Sequence, residues 1–348
     1  MPRGAASEGV VLAPLLQVED LRTYFFTSSG VVKAVDGVSF EVDAGEIVGI
    51  VGESGSGKSI TALSILRLVP HPGRIVSGRI LFGREGERGD VVEMSEAEVR
   101  ELRGSDIAMI FQDPMKSLNP VTRVGYQVRE AMAAHRRFTG RTALGRVVPM
   151  LEKVRIAAAR ERADDFQHQF SGGMRQRLMI AMGLSNEPSL LIADEPTVAL
   201  DVTVQAQIIE LLRDLSSELG TAIVLITHNL AVVASLCTRV IVMYAGRIVE
   251  EGRTREILKS PQHPYTWSLL RAIPRVDGPQ PAQLTSIGGM PPDLGDLPSG
   301  CKFHPRCRFR VDRCRNEEPP LAALDAAHLA RCWVPMDVAL GRQEGDQG

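Results

Sequence analysis

Short runs of apolar residues recur along the chain and predict the strands of a buried parallel sheet. Four of them lie at 46–51, 107–111, 189–193 and 222–227. Each run is five or six residues long and rich in Ile, Leu, Val or Ala, which is typical of strands that are covered on both faces. Segments with the helical spacing of apolar residues lie between them. The pattern therefore predicts an α/β fold.

Other segments have different periodicities. Val38, Phe40 and Val42 alternate with polar residues, as in a strand with one solvent-facing side. The segment 203–219 places its apolar residues on one helical face and ends before Gly220. Four further predictions follow from composition and turn residues: a strand at 74–82, a polar helix and loop at 90–103, helices within 124–165, and a hairpin of 240–244 with 247–250 around Ala245 and Gly246.

The periodic pattern divides the chain into three parts. Residues 1–15 are predicted to form a flexible tail, and residues 16–260 contain the regular strands and helices. After Pro261 the periodicity fades, and proline, glycine and four of the five cysteines cluster in the segment that ends at Trp333. We therefore expect a small C-terminal extension at 261–340.

Composition and charge narrow the function classes. The chain has 348 residues, 44% hydrophobic and 24% charged, which is ordinary for a globular protein. The formal net charge of −2 gives no indication of nucleic-acid binding. No apolar run is long enough to span a bilayer, and the run at 10–13 is too short for a signal peptide. We expect the protein to stay in the cytoplasm and to serve any membrane through a partner.

One stretch, Gly52-Glu53-Ser54-Gly55-Ser56-Gly57-Lys58-Ser59, fits the pattern G-x-x-x-x-G-K-[ST] of a phosphate-binding loop. It joins a predicted strand to a predicted helix, an arrangement that points backbone N–H groups at an anion. Lys58 would supply a positive charge for the β and γ phosphates of ATP, and the Ser59 hydroxyl would hold Mg²⁺. The predicted binding residues are Gly52, Ser54, Gly55, Ser56, Gly57, Lys58, Ser59 and Ile60.

Polar residues at the ends of other predicted strands indicate the rest of a hydrolytic site. Asp194 suits metal binding through Mg²⁺, and Glu195 suits a general base or a water-positioning group. Gln112 could contact the metal or the attacking water, and His228 the γ-phosphate. Without the phosphate loop, adjacent acids at a strand end are equally typical of a solvated surface. The glycine-rich helix start at 171–173 offers a second anion site, with Ser171 as N-cap.

These motifs, in this order, resemble the ATP-binding subunit of an ABC transporter over roughly residues 17–260. The stretch 171–175 resembles the signature loop of this family, with Phe170 in place of Leu and Met174 in place of Gln. The resemblance implies a RecA-like core with an antiparallel β subdomain and a helical signature subdomain. It also implies a dimer of cassettes, in which each ATP lies between one chain's phosphate loop and Ser171, Gly172 and Gly173 of the other chain.

The same resemblance implies roles for individual residues. Gln112 matches the Q-loop, Asp194 and Glu195 match the Walker B acids, and His228 matches the switch histidine. Asp201 lies in the D-loop match, Ala199-Leu200-Asp201. Phe25, or less closely Tyr24, would stack on adenine; from the pattern alone these aromatics could equally be core residues. The departures are Asn229 and Val198, where the family usually has Asp and Thr or Ser, and neither removes a catalytic group.

Two further stretches resemble one subfamily, the importers of di- and oligopeptides and, in some members, nickel. They are 111–120 and His263-Pro264-Tyr265-Thr266, and the likeness continues at 291–294 and 300–307. It is strongest to the D-component type of ATP-binding subunit. The resemblance implies a paralogous ATPase as heterodimer partner, two membrane permeases and an extracytoplasmic peptide-binding protein, with this chain at the cytoplasmic face of the membrane.

Two other classes are less consistent with the chain. A soluble ABC ATPase of translation usually carries two cassettes, and one of DNA repair has a long coiled coil between phosphate loop and signature. Here about a hundred residues separate the two motifs, with no heptad run. An exporter subunit would lack the His-Pro-Tyr stretch and the cysteine-bearing tail.

Four cysteines in the predicted extension indicate a metal site. Cytoplasmic chains hold few disulfides, and Cys301, Cys307, Cys314 and Cys332 are separated by five, six and seventeen residues. The C-x₂-C pairs of most zinc ribbons are missing, so zinc is the alternative rather than the first choice. Four thiolates suit an iron–sulfur cluster, and the subfamily resemblance implies [4Fe–4S]. Four reduced, buried cysteines are the simpler interpretation.

Overall fold

The computed structural model describes residues 13–83, 89–135, 140–272, 287–325 and 327–338. Within them the chain forms two β-sheets with helices packed on both. The strands are β1 (Leu16–Thr27), β2 (Gly30–Val42), β3 (Ile47–Val51), β4 (Gly73–Phe82), β5 (Gly89–Asp90), β6 (Ile107–Ile110), β7 (Leu190–Asp194), β8 (Ala222–Thr227), β9 (Arg239–Tyr244), β10 (Arg247–Arg253), β11 (Ala322–Ala323) and β12 (Leu329–Ala330).

The helices lie mostly between consecutive strands of the larger sheet. They are α1 (Lys58–Ile65), α2 (Glu96–Leu102), α3 (Pro114–Ser117), α4 (Val124–Ala133), α5 (Gly140–Lys153), α6 (Ala159–Arg162), α7 (Gly172–Leu184), α8 (Val202–Leu219), α9 (Leu230–Leu236), α10 (Thr254–Lys259), α11 (Pro264–Arg271) and α12 (Arg313–Asn316). No helix within the described residues combines the length and the apolar character that crossing a bilayer requires. The predicted α/β class is confirmed.

The smaller sheet is antiparallel, with strands in the order β2-β1-β4-β5. Val38, Phe40 and Val42 are buried while the residues between them are exposed, which confirms the predicted alternation. The buried face of this sheet packs on α1 and on one face of the larger sheet, and together they form one continuous apolar core. This sheet thus covers the first helix after the phosphate loop.

The larger sheet has the order β11-β12-β10-β9-β3-β8-β7-β6, and the five strands from β9 to β6 are parallel. Every residue of β7 and β8 is buried, as expected for strands covered on both faces. In the register of these strands Val51 lies opposite Thr227, and Asp194 lies opposite Ile226. The carboxyl ends of β3, β8 and β7 therefore meet at one edge of the sheet, where ligands bind in open α/β folds.

The helices from α4 to α7 pack together at one end of the larger sheet. The segment 124–165, predicted to be helical, contains α4, α5 and α6. Their apolar residues, among them Val128, Met132 and Leu151, share a core with α7 and α8. This group forms the helical region that the resemblance predicts. It brings the N-terminus of α7, with its two glycines, to the surface.

Local capping contacts fix two helix ends, of which the one at Gly220 was predicted. Ser95 begins α2 with a capping box, in which its side chain accepts from the Glu98 N–H and the Glu98 side chain accepts from the Ser95 N–H. Gly220 ends α8 in the left-handed conformation, at φ 66°, where a glycine avoids the steric cost of a Cβ atom. These caps fix where α2 begins and where α8 ends.

The C-terminal segment packs on the larger sheet rather than standing apart from it. β12 pairs with β10, with Ala330 opposite Glu250. The rings of Tyr244, Tyr265 and Phe303 form a cluster with centroid separations of 4.6, 5.3 and 5.4 Å, which joins β9, α11 and the cysteine-bearing segment. The predicted division at residues 260 and 261 stays a prediction. The predicted tail at 1–15 lies outside the described residues up to residue 12.

Candidate nucleotide-binding site

The phosphate loop runs from the end of β3 to the start of α1 and encloses a concave surface. Gly57 precedes α1 at φ 102°, and a Cβ atom there would lie 2.4 Å from the Ala34 carbonyl oxygen. A Cβ atom on Gly52 would lie 2.2 Å from the Met243 carbonyl oxygen. Both positions therefore need glycine, because the loop is pressed against the backbone of neighbouring strands.

Lys58 is buried and satisfied by its own loop. Its ammonium donates to the carbonyl oxygens of Gly52 at 2.7 Å and Glu53 at 2.9 Å. Burial lowers the pKa of Lys58, and the nearby carboxylates of Glu195 and Asp194 oppose this effect. The cation is thus directed across the mouth of the loop, where it can exchange carbonyl partners for phosphate oxygens.

Ser59 and Asp194 come together although 135 positions separate them in the chain. The Ser59 hydroxyl donates to the Asp194 carboxylate at 3.1 Å. Asp194 is 6% exposed, and its burial raises the pKa of its carboxyl. The hydroxyl and the carboxylate are in contact, and the buried carboxylate has too little positive charge around it to favour its ionised form. Such a pair of oxygen ligands fits the chemistry of Mg²⁺.

Glu195 and His228 form a second pair, at the ends of β7 and β8. One Glu195 carboxylate oxygen accepts from the His228 backbone N–H at 3.1 Å and contacts His228 Nδ1 at 2.8 Å. The other oxygen accepts from the Thr227 hydroxyl at 3.2 Å. Since a carboxylate only accepts, Nδ1 carries the proton and the other ring nitrogen is left facing outward. The His228 side chain is 65% exposed.

Glu195 itself has an uncommon backbone conformation, with φ at 50°. Its N–H donates to the Ile226 carbonyl oxygen at 2.8 Å, which extends the β7–β8 pairing by one residue. A positive φ in a residue other than glycine costs free energy and is maintained by its surroundings. Here the conformation directs the carboxylate toward Thr227 and His228 rather than into solvent.

The phosphate loop, Glu195 and His228 line a single cavity of about 980 Å³. Gln112 follows β6 and is exposed at its rim. The lining includes most of the predicted phosphate and catalytic residues, namely Gly52, Ser54, Gly55, Ser56, Gly57, Lys58, Ser59, Ile60, Gln112, Glu195 and His228. Asp194 lies behind them, in contact with Ser59. The cavity therefore combines anion-binding backbone, a cation and a directed carboxylate.

The C-terminal segment forms part of the same cavity, which the sequence reasoning missed. Its lining includes Leu269, Met290, Leu294 and Arg306 beside the phosphate loop. Arg306 pairs with the Glu53 carboxylate, and the Tyr265 hydroxyl accepts from the Glu53 N–H. Tyr265 was within a recognised stretch, but no local pattern connects either residue with a loop more than 200 positions away.

Four predicted site residues, Ser171, Gly172, Gly173 and Asp201, do not line the cavity. Ser171 caps α7, accepting from the Met174 N–H at 3.4 Å, and Ser171 and Gly172 are exposed outside the cavity lining. A Cβ atom on Gly173 would lie 2.5 Å from Val204, so α7 and α8 approach closely there. Asp201 caps α8 by accepting from the Val204 N–H at 3.0 Å. Within one chain these residues do not meet the phosphate loop.

The predicted adenine contact is also not brought to the cavity. Phe25 does not occur among the described residues that line it. Its ring lies against the backbone of Gly73, where a Cβ atom would be 2.7 Å away. The neighbouring Tyr24 donates its hydroxyl to Asp36 at 2.6 Å, and this contact explains its orientation within β1. Adenine stacking by Phe25 stays a prediction.

The four clustered cysteines are close enough to interact electrostatically. Burial raises the pKa of Cys301 and Cys332 to about 12 and that of Cys307 to about 11, with further increases from the neighbouring thiols, Cys314 included. Across the described residues, which include all four, no group of three or more His, Cys, Asp or Glu side chains has the arrangement that holds a metal ion. The predicted metal site is therefore not shown.

The comparisons with known proteins agree with the geometry of the cavity. Two sequence families match the chain: ABC transporter over residues 35–198, and the C-terminal region of oligopeptide/dipeptide transporters over residues 249–314. The fold resembles the dimeric ATP-binding cassette MJ0796 bound to ADP and phosphate, with a TM-score of 0.61 and 26% identity, over 69% of this chain and 99% of that one.

Relatives with similar sequences extend over nearly the whole chain. The oligopeptide transport ATP-binding protein OppD of Bacillus subtilis is 48% identical, over 92% of this chain and 88% of that protein. The dipeptide transport ATP-binding protein DppD of Escherichia coli is 47% identical, over 93% of this chain and 98% of that protein. The fold and the site define an ATP-binding cassette. Within that class, the chain belongs to the family of ABC transporter ATP-binding proteins that serve oligopeptide and dipeptide transport.

Proposed function

We propose that this protein is the ATP-hydrolysing subunit of an importer that takes up di- or oligopeptides across the cytoplasmic membrane. The observation that carries the proposal is one cavity that holds the phosphate loop, the Ser59–Asp194 contact and the Glu195–His228 pair. The peptide substrate rests on the similarity to OppD and DppD over almost the full chain.

In this proposal each residue has one chemical task. The backbone N–H groups of the loop and the α1 N-terminus bind the phosphates, and Lys58 moves its ammonium from the Gly52 and Glu53 carbonyls to phosphate oxygens. Ser59, Asp194 and Gln112 would hold Mg²⁺, which supplies charge neutralisation for the transferred phosphoryl group. These groups bind and orient ATP before any bond changes.

Glu195 is proposed as the general base. Its carboxylate, oriented by Thr227 and His228, accepts the proton of the water that attacks the γ-phosphorus. His228 donates its Nδ1–H to the Glu195 carboxylate, so its other ring nitrogen is free to face the γ-phosphate. The water oxygen bonds to phosphorus as the bond to the bridging oxygen of ADP breaks, which releases ADP and inorganic phosphate.

The signature loop is proposed to act on a second cassette. Ser171 and Gly172 are exposed at the N-terminus of a 13-residue helix, where backbone N–H groups can bind an anion, yet they lie outside this chain's own cavity. A partner's ATP would satisfy them, with Asp201 near the shared interface. We infer a heterodimer with a paralogous cassette, in keeping with the family resemblance.

A groove near the end of β6 is the proposed contact for two membrane permeases. It has a volume of about 230 Å³ and is lined by Met109, Phe111, Met179 and other small or apolar residues. Phe111 and the nearby Met115 are 42% and 54% exposed. An exposed apolar patch of this kind marks an interaction site, and the groove joins the helical region to Gln112. The chain would then act at the cytoplasmic face of the membrane, with a peptide-binding protein outside.

Purification of the intact complex tests this assignment. The tagged chain, extracted in mild detergent from its own cells, should retain two multispanning proteins and a second cassette. Deletion of this chain should abolish uptake of labelled oligopeptides. Wild-type chain should restore uptake and Lys58→Ala should not. Soluble partners alone would favour a non-transport ATPase, and restored nickel rather than peptide uptake would change the substrate class.

We also propose that the four clustered cysteines hold an iron–sulfur cluster. The Val334 N–H lies 3.4 Å from Cys332 Sγ, and the backbone N–H groups of Phe303 and Phe309 hydrogen-bond Cys301 and Cys307. Amide hydrogen bonds of this kind stabilise thiolate ligands.

Anaerobic purification with iron and sulfide analysis tests the cluster. About four iron and four sulfide per chain are expected for this cluster type, with a visible charge-transfer band, and both should be lost in Cys314→Ser. The matched control is Cys237→Ser, which changes a buried cysteine at the end of α9 and should keep its iron. An iron-free, folded and active complex would rule the cluster out, and zinc in its place would identify the alternative.

A further inference from the structure

Arg306 reaches from the cysteine-bearing segment to the phosphate loop. Its guanidinium donates to both carboxylate oxygens of Glu53, at 2.7 and 3.0 Å, across 253 positions of sequence. Glu53 is the first variable residue of the loop pattern, directly after Gly52. A two-bond contact of this type fixes both distance and orientation, which a single bond would not.

Glu53 is held at two further points. Its backbone N–H donates to the Tyr265 hydroxyl at 2.7 Å, and its carbonyl oxygen accepts from the Lys58 ammonium at 2.9 Å. The side chain, the N–H and the carbonyl of one loop residue are thus all engaged. Two of the three partners come from the C-terminal segment, and the third is the loop lysine itself.

The surroundings of Arg306 make it a rigid support. Its side chain is only 5% exposed, and its guanidinium lies 5.9 Å from the ring centres of Tyr244 and Phe303. Its Nε donates to the Gly288 carbonyl oxygen at 2.9 Å. A guanidinium stays charged at any physiological pH, and these contacts hold it in one orientation.

The negative charge of Glu53 would weaken the binding of an anionic ligand if Arg306 did not pair with it. Both Glu53 and Arg306 line the cavity in which the phosphate loop is exposed. An unpaired carboxylate there would repel a polyphosphate, and in a partly desolvated cavity this repulsion is stronger than in water. Arg306 neutralises the carboxylate and at the same time fixes the loop backbone on either side of it.

We propose that Arg306 is a positioning residue of the phosphate loop, which makes the C-terminal segment part of the nucleotide-binding machinery. Together with Tyr265 it holds Glu53 so that the loop is formed before a nucleoside di- or triphosphate enters, and it cancels the only acidic charge of the loop. The inference rests on the proposed nucleotide binding. It concerns ligand affinity and assigns Arg306 no contact with the attacking water.

A double-mutant cycle on the full chain tests this proposal. The dissociation constant of a fluorescent ADP is measured for wild type, Arg306→Gln, Glu53→Gln and the double variant. Arg306→Gln should raise the ADP dissociation constant by about ten-fold, because the negative charge of Glu53 is then unpaired and faces the phosphates. In the Glu53→Gln background, the same change should raise it by less than about three-fold, because the charge to be neutralised is gone.

A matched control separates positioning from folding. Arg308 is an exposed arginine in the same segment, stacked on Trp267 and Phe309 at 4.5 and 4.8 Å, away from the loop. Arg308→Gln should leave the ADP constant within about two-fold of wild type. Arg306→Lys keeps the charge without the paired bonds and should give an intermediate value. In ATP turnover, Arg306→Gln should raise KM and change kcat little.

The outcomes distinguish this inference from the proposed function. If wild type fails to bind ADP, the proposed function itself is wrong. If wild type binds and Arg306→Gln binds equally well, the positioning role is wrong. Equal losses from Arg306→Gln in both backgrounds, with a lowered melting temperature, would assign Arg306 to the stability of the segment alone and would likewise overturn the proposal.

Discussion

Replacement of Glu195 by glutamine is the sharpest single test of the proposed hydrolysis. The amide keeps the shape of the side chain and removes its ability to accept a proton. We expect ATP binding to persist and turnover to fall by at least about 10²-fold, the lower end of the contribution of a general base. A fall of 10² to 10⁴ corresponds to roughly 2.7–5.4 kcal/mol in activation free energy.

The structure shows why this loss should be chemical rather than structural. The carboxylate oxygen nearest His228 can remain an oxygen in glutamine and keep its contacts at 2.8 and 3.1 Å. The other atom becomes NH₂ and faces the Thr227 hydroxyl, which is able to accept as well as donate. The hydrogen-bond network is thus preserved, so the melting temperature should change little.

The assay is phosphate release by the purified complex, in which the partner cassette also carries an inactivating substitution. Nucleotide binding is measured in parallel by direct titration. Glu210→Gln is the matched control, since Glu210 is exposed on α8, where it pairs with Arg155 at 3.3 Å. Near-normal turnover in Glu195→Gln, with binding intact and the control unchanged, would refute the assignment of Glu195 as general base.

Three other predictions follow from the geometry. Lys58→Ala should weaken ATP binding measured by calorimetry, because it removes the ammonium directed across the loop; unchanged affinity would contradict this. A bulky substitution at Ser171 should impair hydrolysis at the partner's site while this chain still binds ADP, and crosslinking of Ser171 to its own chain's ATP would argue against it. The Glu250 carboxylate accepts a hydrogen bond from Nε2 of the buried His328 and raises the pKa of that histidine. The contribution of this bond to stability is therefore complete below the unfolded pKa near 6.5 and disappears as pH rises through the folded value. Urea titrations over this range should show the loss in wild type and not in His328→Gln.

Much of the fold follows from local sequence, for reasons that particular elements illustrate. The runs at 222–227 and 240–244 form β8 and most of β9, because short Ile- and Val-rich segments bounded by turn residues have few alternatives to a buried strand. Gly220 and Ser95 end and begin helices through contacts within a few residues. Where the determining interactions are local, the pattern is sufficient.

The candidate site could be predicted only in part. Lys58, Ser59, Asp194 and Glu195 were found because strand order brings strand ends together, and a strand end is visible in sequence. The contribution of Arg306 was not predicted, because its contact with Glu53 depends on how a segment without periodicity packs over the sheet. Nothing in the spacing of prolines and cysteines specifies that packing. The orientation of Phe25 against Gly73 is likewise a tertiary effect.

Because Arg306 completes the lining of the cavity, the order of synthesis affects when the chain can bind nucleotide. Translation delivers every nucleotide motif by residue 228, while the residues that close the cavity emerge only after about eighty more. For that interval the nascent chain carries a phosphate loop with the Glu53 carboxylate uncompensated. Nucleotide affinity should therefore develop late, when the C-terminal segment has folded onto β10. An incomplete chain should bind ATP weakly and so should not hydrolyse it without control.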